Sequence, residues 1–237
     1  WIFLSSILGF LSIQGDRILL GGLISAELLG VYTVSFFLAN AVKDIILKLV
    51  YSVFFPLLSE VIREQSDQIQ TTYYKIREKI DFVTMFSAGF LYSTGSLIIS
   101  FLYDNRYSDA GWMMEVLSLS LISVGFMLSD QLFLSYGKSK YISLLTSFQL
   151  AALYILVPVM FYIYGLEIAI WTIALNPIIR GIISVFIMKK YYFLSINREV
   201  MFFPVFFIGL LCGEQLQKIS VMENINLLSN NFLIFDF

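Results

Sequence analysis

Long uncharged runs alternate with short charged segments along this chain. Residues 82 to 103 form one run of 22 uncharged residues, and residues 141 to 166 form another of 26. A bilayer core about 30 Å thick is crossed by roughly 20 helical residues, so an uncharged run of this length is typical of a spanning helix. The pattern therefore predicts a chain that crosses a membrane more than once.

Apolar length and turn residues together predict six spans. They cover residues 1 to 24, 28 to 58, 82 to 103, 112 to 136, 141 to 164 and 166 to 188. The expected fold class is an all-α integral membrane bundle of about six transmembrane helices, with residues 1 to 190 as one unit. Eight Lys and Arg residues fall on one side of these spans and only Arg106 falls on the other. Because cytoplasmic loops are rich in Lys and Arg, the side with eight is predicted to be the cytoplasmic side.

Residues 59 to 81 follow a different pattern, with apolar residues at helical spacing and charged or amide residues between them. Such a pattern is typical of an amphipathic helix. We expect it on the cytoplasmic membrane surface, or as a helical linker between two bundles of spans.

The end of the chain, residues 191 to 237, is expected to be a short hydrophobic segment and an irregular tail. Residues 200 to 213 are uncharged, but they include Pro204 and are too few to span unaided. Three interpretations of this segment stay open: a re-entrant segment, an interfacial segment or a truncated seventh span.

Composition narrows the function. The chain is 59% hydrophobic and only 14% charged, with a mean hydropathy of +0.83, which is typical of an integral membrane protein. Its net charge of -2 gives no reason to expect a nucleic-acid partner. Cys212 is the only cysteine and there is no histidine, so we expect no disulfide, catalytic residue, metal or cofactor. A transporter is favoured over an enzyme.

Charged residues inside predicted spans are the best functional candidates, because each costs at least about 2.5 kcal/mol at bilayer depth unless it faces protein or water. The candidates for a substrate-translocation cavity are Asp16, Arg17, Asn40, Lys43, Asp44, Lys48 and Arg180. At 100° per residue, those of the second span and Tyr51 fall within an arc of roughly 140°, which indicates one cavity wall. The alternative is an ion pair between Asp44 and Lys48, four residues apart, within packed helices.

Two carboxylates and two proline positions are further candidates. Asp130 and Glu115 are possible ion-coupling residues, although each also suits a simple interfacial position. Pro158 and the Asn176-Pro177 step remove helical hydrogen bonds and are possible hinges, although such prolines also occur in static bundles.

Three motifs resemble a known family. They are residues 14 to 32, beginning Gln14-Gly-Asp-Arg17; the segment Phe55-Pro-Leu-Leu-Ser-Glu60; and residues 102 to 117, followed later by a Gly-Lys-Ser-Lys turn at 137 to 140. In this order they resemble the bacterial polysaccharide flippases of the Wzx type, which export O-antigen and exopolysaccharide units. That family belongs to the superfamily that includes the multidrug and toxin extruders.

The resemblance implies flipping of a polyprenyl-diphosphate-linked oligosaccharide across the bacterial cytoplasmic (inner) membrane by alternating access of two lobes. Lys43 and Lys48 would attract the diphosphate, and Arg17 and Arg180 would bind it or pair with Asp16 and Asp44. The chain resembles the second lobe and starts at Trp1, so a missing N-terminal lobe is an expected partner. Membrane lipid and other polysaccharide-assembly proteins are further expected partners.

Three alternatives stay open. A related extruder of cationic drugs would require acidic groups in its lumen. A membrane enzyme of polysaccharide assembly would normally carry a large external loop. A truncated remnant without a partner lobe would have no transport function.

Overall fold

The computed structural model describes residues 2–64, 66–191, 198 and 201–232, and it contains no strand within them. Three short 3-10 turns, at Ser66–Gln68, Asn105–Tyr107 and Leu119–Ser123, separate longer helices. These helices are α1 (Ile2–Gly21), α2 (Ala26–Glu64), α3 (Ile69–Leu102), α4 (Ala110–Ser118), α5 (Val124–Ser135), α6 (Ser139–Tyr164), α7 (Leu166–Tyr191) and α8 (Phe203–Phe232).

Five helical segments of the described chain are long and apolar enough to cross a membrane: Ala26–Glu64, Ile69–Leu102, Ala110–Ser135, Ser139–Tyr164 and Leu166–Lys189. They coincide with five of the six predicted spans and confirm an all-α, multi-pass membrane bundle. The first predicted span is helical as α1 but is not among these five, so its crossing stays a prediction.

Glycine permits the two tight turns beside α6. Gly137 before it and Gly165 after it have φ values of +68° and +86°, which residues with a side chain rarely adopt. Pro158 and Pro177 both lie inside continuous helices, α6 and α7. The predicted breaks therefore do not end either helix, and their role as hinges stays a prediction.

The predicted amphipathic surface helix at 59 to 81 is wrong. The segment is divided between the end of α2, a 3-10 turn and the first three turns of α3. Its apolar side is covered by protein: Ile69 and Tyr73 are buried in a core cluster with Phe54, Leu58 and other side chains. The apolar periodicity of the segment was predicted correctly. Its apolar side, however, packs against side chains of α2 and α5, where the membrane surface was expected.

The predicted irregular tail is also wrong over residues 214 to 232, because α8 continues as far as Phe232. Residues 233 to 237 lie outside the described part. Glycines bring α8 into backbone contact with α3, since a Cβ atom at Gly89 would meet the Phe206 carbonyl oxygen and one at Gly209 that of Phe86. Such close approach of helices is common where lipid surrounds them.

In the part of the chain that the structure describes, two apolar clusters form the core, one toward each end of the bundle. On α2 the first includes Val31 and Ala39, with Val42 packed against it, and the second starts near Ile46 and includes Val50. On α2, Lys43 lies between the two clusters, and Asn40 lies at the end of the first. The middle of the bundle is therefore where polar side chains gather.

Candidate functional site

A cavity of about 340 Å³ lies at this middle level, with α1, α2, α5, α6, α7 and the 3-10 turn before α5 around it. Its charged and amide side chains are Asp16, Asn40, Lys43, Asp130, Gln149, Asn176 and Arg180. Four of the seven residues predicted for the cavity, Asp16, Asn40, Lys43 and Arg180, thus line one space. Of the two possible coupling residues, Asp130 lines it as well.

One face of α2 forms a wall of the cavity. Phe36, Asn40, Lys43, Leu47 and Tyr51 line it, at successive steps of four, three, four and four residues. This spacing keeps all five on one side of a helix. The wall is mixed, with the amide of Asn40 and the ammonium of Lys43 between two apolar side chains and the phenol of Tyr51 at the end of the face.

Asp44 and Lys48 are exposed and lie outside the cavity wall, contrary to the prediction. Lys48 is about 80° around the helix from Asn40, which takes it past the edge of the lining face. The alternative prediction of an ion pair between them is also wrong: within the described residues, neither takes part in an ion pair or a side-chain hydrogen bond.

Asp16 is buried and accepts a hydrogen bond of 2.5 Å from the hydroxyl of Tyr32 on α2. Arg17, its neighbour in the motif, turns elsewhere. Its guanidinium donates to the side-chain oxygen of Gln14 at 2.8 Å and lies 4.6 Å from the ring centre of Phe36, and Arg17 is not part of the cavity lining. The expected pairing of Arg17 with Asp16 is therefore wrong.

Arg180 and Asp130 form an ion pair across α7 and α5, with Nη2 and Oδ2 2.7 Å apart. Asp130 had been expected either at the interface or in ion coupling, and it lies in the cavity wall. Its other oxygen, Oδ1, is buried and has no hydrogen-bond partner within the described residues. Arg180 was expected to bind cargo or to pair with Asp44, and its partner is Asp130.

The remaining predicted residues divide between the cavity and other places. Asn176 and Pro177 line the cavity, and the Asn176 side-chain amide donates to the main-chain carbonyl of Gln149 at 3.2 Å, joining α7 to α6. Pro158 lies outside the lining. Glu115 lies in a separate cleft with Glu167, where its Oε1 accepts hydrogen bonds from the amide and the hydroxyl of Ser96, at 2.9 and 2.6 Å.

Sequence reasoning missed three groups. Tyr32 was seen only as part of a motif, and no local spacing links it to Asp16, sixteen residues earlier. Gln149 lies within the cleanest predicted span and carries no charge to mark it. Arg77 and Asp81 form a buried ion pair of 3.1 Å within α3, and their spacing of four residues could have revealed it.

The described residues contain no group of three His, Cys, Asp or Glu side chains that could hold a metal ion. What the cavity offers is hydrogen-bond donors and acceptors around one ammonium group. This arrangement suits binding of a polar ligand.

Residues 1–112 match the family model described as polysaccharide biosynthesis protein. No curated protein and no solved structure shows a significant match to the chain. The match includes α1, α2 and α3, and of the segments that carried the resemblance it includes residues 14 to 32, residues 55 to 60 and the first part of residues 102 to 117. It confirms that resemblance and supports a role in polysaccharide biosynthesis: over residues 1–112, this multi-pass membrane protein is similar to the family described as polysaccharide biosynthesis protein.

Proposed function

We propose that the protein flips a polyprenyl-diphosphate-linked oligosaccharide across the bacterial cytoplasmic membrane during synthesis of a surface polysaccharide such as O-antigen or capsule. Two findings support this. The first is the family match over residues 1–112. The second is a cavity lined by charged and amide side chains in the middle of the bundle. A lipid-linked glycan requires such a passage for its sugars while its lipid tail remains in the bilayer.

Lys43 is the observation that carries the proposal. It lies in the cavity wall and is half-buried, and no described residue forms an ion pair or hydrogen bond with it. Asp16 and Asp44 act on it electrostatically. An ammonium without a close partner is suited to the anionic diphosphate, whereas the guanidinium of Arg180 is already matched by Asp130.

The neutral groups of the cavity suit the sugars. Gln149 and Asn176 supply amides, and Thr146 and Tyr51 supply hydroxyls. Sugar hydroxyls both donate and accept hydrogen bonds, so a wall of amides and hydroxyls can bind many glycans without demanding one sequence of sugars. Movement would follow alternating access, with α7 free to bend at Pro177 beside the ion pair.

A second lobe is part of the proposal. Large apolar side chains on the α1 and α2 faces near the cavity are exposed, among them Ile13, Phe37, Ile45 and Leu49. A six-helix lobe preceding this one in the same gene product would cover this face and complete the passage. Other polysaccharide-assembly proteins would deliver and receive the cargo.

Export of a cationic drug, as by a related extruder, is a weaker candidate function for the same cavity. A cationic drug needs carboxylates that are free to bind it, and both carboxylates of the cavity have a donor, Tyr32 for Asp16 and Arg180 for Asp130. The wall therefore favours an anionic cargo.

The test compares two lysines of the same helix in the gene product that carries this chain. Lys43→Gln removes the ammonium in the cavity wall, and Lys48→Gln removes one outside it. Surface polysaccharide is measured in cells that lack their own flippase, together with the amount of each variant in the membrane. We expect Lys43→Gln to lower export at least about tenfold, because a charge-assisted bond to phosphate is lost, and Lys48→Gln to leave it unchanged. Equal export by both variants would contradict the proposal.

A further inference from the structure

A second cleft, of about 470 Å³, lies between α3 and the residues before α8. Its lining is Lys75, Glu78, Lys79, Phe82, Val83 and Phe202. No α3 residue contributes to the cavity described above. This cleft is therefore separate from the proposed passage, and it needs an explanation of its own.

The side chains of the cleft change from charged to apolar along α3. At 100° per residue, Lys75, Lys79, Phe82 and Val83 lie within an arc of about 100°, on one face of the helix. At 1.5 Å per residue, Val83 is about 12 Å along the axis from Lys75. A ligand in this cleft would meet ammonium groups at one end and aromatic and aliphatic side chains at the other.

The charge of the cleft is positive. Glu78 has a partner, because its Oε1 lies 4.0 Å from Nε of Arg198. Lys75 and Lys79 are exposed, and no described residue forms an ion pair with either. Among the described residues, two ammonium groups therefore face outward without an ion-pair partner, beside Phe82 and Val83, whose side chains are about half exposed.

We propose that this cleft binds an anionic phospholipid, with its phosphate at Lys75 and Lys79 and an acyl chain along Phe82, Val83 and Phe202. Lys75 and Lys79 belong to the basic group that predicts the cytoplasmic side, so the lipid comes from the cytoplasmic leaflet. Basic clusters at this level attract anionic headgroups. The lipid also bridges α3 and the start of α8, and it would stabilise their association.

Native mass spectrometry of the purified chain in detergent tests this, with dioleoylphosphatidylglycerol and dioleoylphosphatidylcholine as probes. The test variant is Lys75→Gln/Lys79→Gln. The matched control is Lys138→Gln/Lys140→Gln, which removes two exposed lysines at the start of α6, outside this cleft. We expect the test variant to bind phosphatidylglycerol about tenfold more weakly, while the control variant and the binding of phosphatidylcholine change by less than about twofold.

If the test and control variants lose phosphatidylglycerol binding equally, any pair of exposed lysines attracts the lipid, and the proposal is overturned. Equal loss of both lipids would do the same, because charge would then not be recognised. A further variant, Phe82→Ala/Val83→Ala, keeps both lysines. It is expected to weaken phosphatidylglycerol binding as well, and unchanged binding would exclude the acyl part of the site. These measurements do not involve glycan export, so their outcome is independent of the proposed flipping.

Discussion

Two buried ion pairs among the described residues of the bundle differ in their surroundings. Arg77 and Asp81 lie on one helix and are 2% and 5% exposed. Arg77 also donates to the Tyr73 hydroxyl at 3.3 Å and lies 5.1 Å from the ring centre of Phe126. Arg180 and Asp130 come from two helices, line the cavity, and leave one Asp130 oxygen without a described partner. An Arg–Asp ion pair thus occurs once enclosed within protein and once in the wall of the cavity.

The difference indicates different roles. A pair within one helix keeps its geometry as long as that helix is intact, so it cannot report movement between helices. A pair that joins α5 to α7 beside a cavity can separate when the helices move or when a polar ligand competes for either partner. We infer that the first pair stabilises the fold and that the second belongs to the transport cycle of the proposed flippase.

The largest expected effect comes from breaking the enclosed pair. Arg77→Ala leaves the Asp81 carboxylate buried without its guanidinium, and loss of one member of a buried pair costs about 3 to 5 kcal/mol. We expect a matching fall in the free energy of unfolding in detergent, and low amounts of protein in the membrane.

Arg180→Ala is the matched variant for that comparison. Asp130 keeps contact with the cavity, where water can reach its carboxylate, so the loss of stability should be at least about 1 kcal/mol smaller than for Arg77→Ala. Glycan export should nevertheless fall with Arg180→Ala. An equal fall in stability for both variants, with export per folded molecule retained by Arg180→Ala, would contradict the difference in roles.

A smaller effect is expected from crowding the enclosed pair. Gly125 on α5 packs directly against the Asp81 carboxylate, where a Cβ atom would overlap Oδ1. Gly125→Ala should therefore lower the free energy of unfolding by about 1 to 3 kcal/mol.

The control is Gly30→Ala, because a Cβ atom at Gly30 meets nothing within 4 Å. Alanine is the better helix former, so this change should leave stability equal or slightly higher. Thermal unfolding of the two variants in the same detergent compares them. If Gly125→Ala is as stable as Gly30→Ala, the enclosed pair has more space than the structure gives it.

The smallest effect is expected at the cavity, from Tyr32→Phe. The change removes the hydroxyl that donates to Asp16 but keeps the ring in the core. Hydrogen bonds to charged groups contribute about 1.5 to 3 kcal/mol, and water from the cavity can replace part of this, so a fall of roughly 1 kcal/mol is expected. Chemical denaturation measures it, with Tyr107→Phe, a partly buried tyrosine packed against the same core, as the comparison. A fall as large as that of Arg77→Ala would mean that Asp16 is sealed from the cavity.

Much of the architecture follows from the sequence. Five spans were predicted at their observed places, because a helix is the structure that satisfies all backbone hydrogen bonds within one apolar segment. Three of them have nearly the predicted bounds, whereas α3 starts thirteen residues earlier than predicted and α2 ends six residues later. The amphipathic period of residues 59 to 81 was also found correctly. Its environment was not, since periodicity reports that one side of a helix is apolar and not whether lipid or protein covers it.

The candidate site, too, was predicted correctly only in part. The charged residues of the cavity, such as Lys43 and Arg180, were found because charge in an apolar run is rare, whereas the uncharged Gln149 was missed. Lys43 lines the cavity and Asp44 does not. The sequence could not predict this boundary of the cavity wall, because it depends on where α1 and α7 approach α2. The partner of Arg180 came from a distant helix, and so it was not predicted.

By itself the sequence determined that the chain is a helical, multi-pass membrane protein with a few charged groups at bilayer depth, since hydrophobicity and helical period act locally along the chain. Only the tertiary structure decided which of these charges face the cavity, which face outward and which neutralise each other. Those outcomes depend on distances between side chains that are far apart in the chain, such as Asp130 and Arg180, and only helix packing sets such distances.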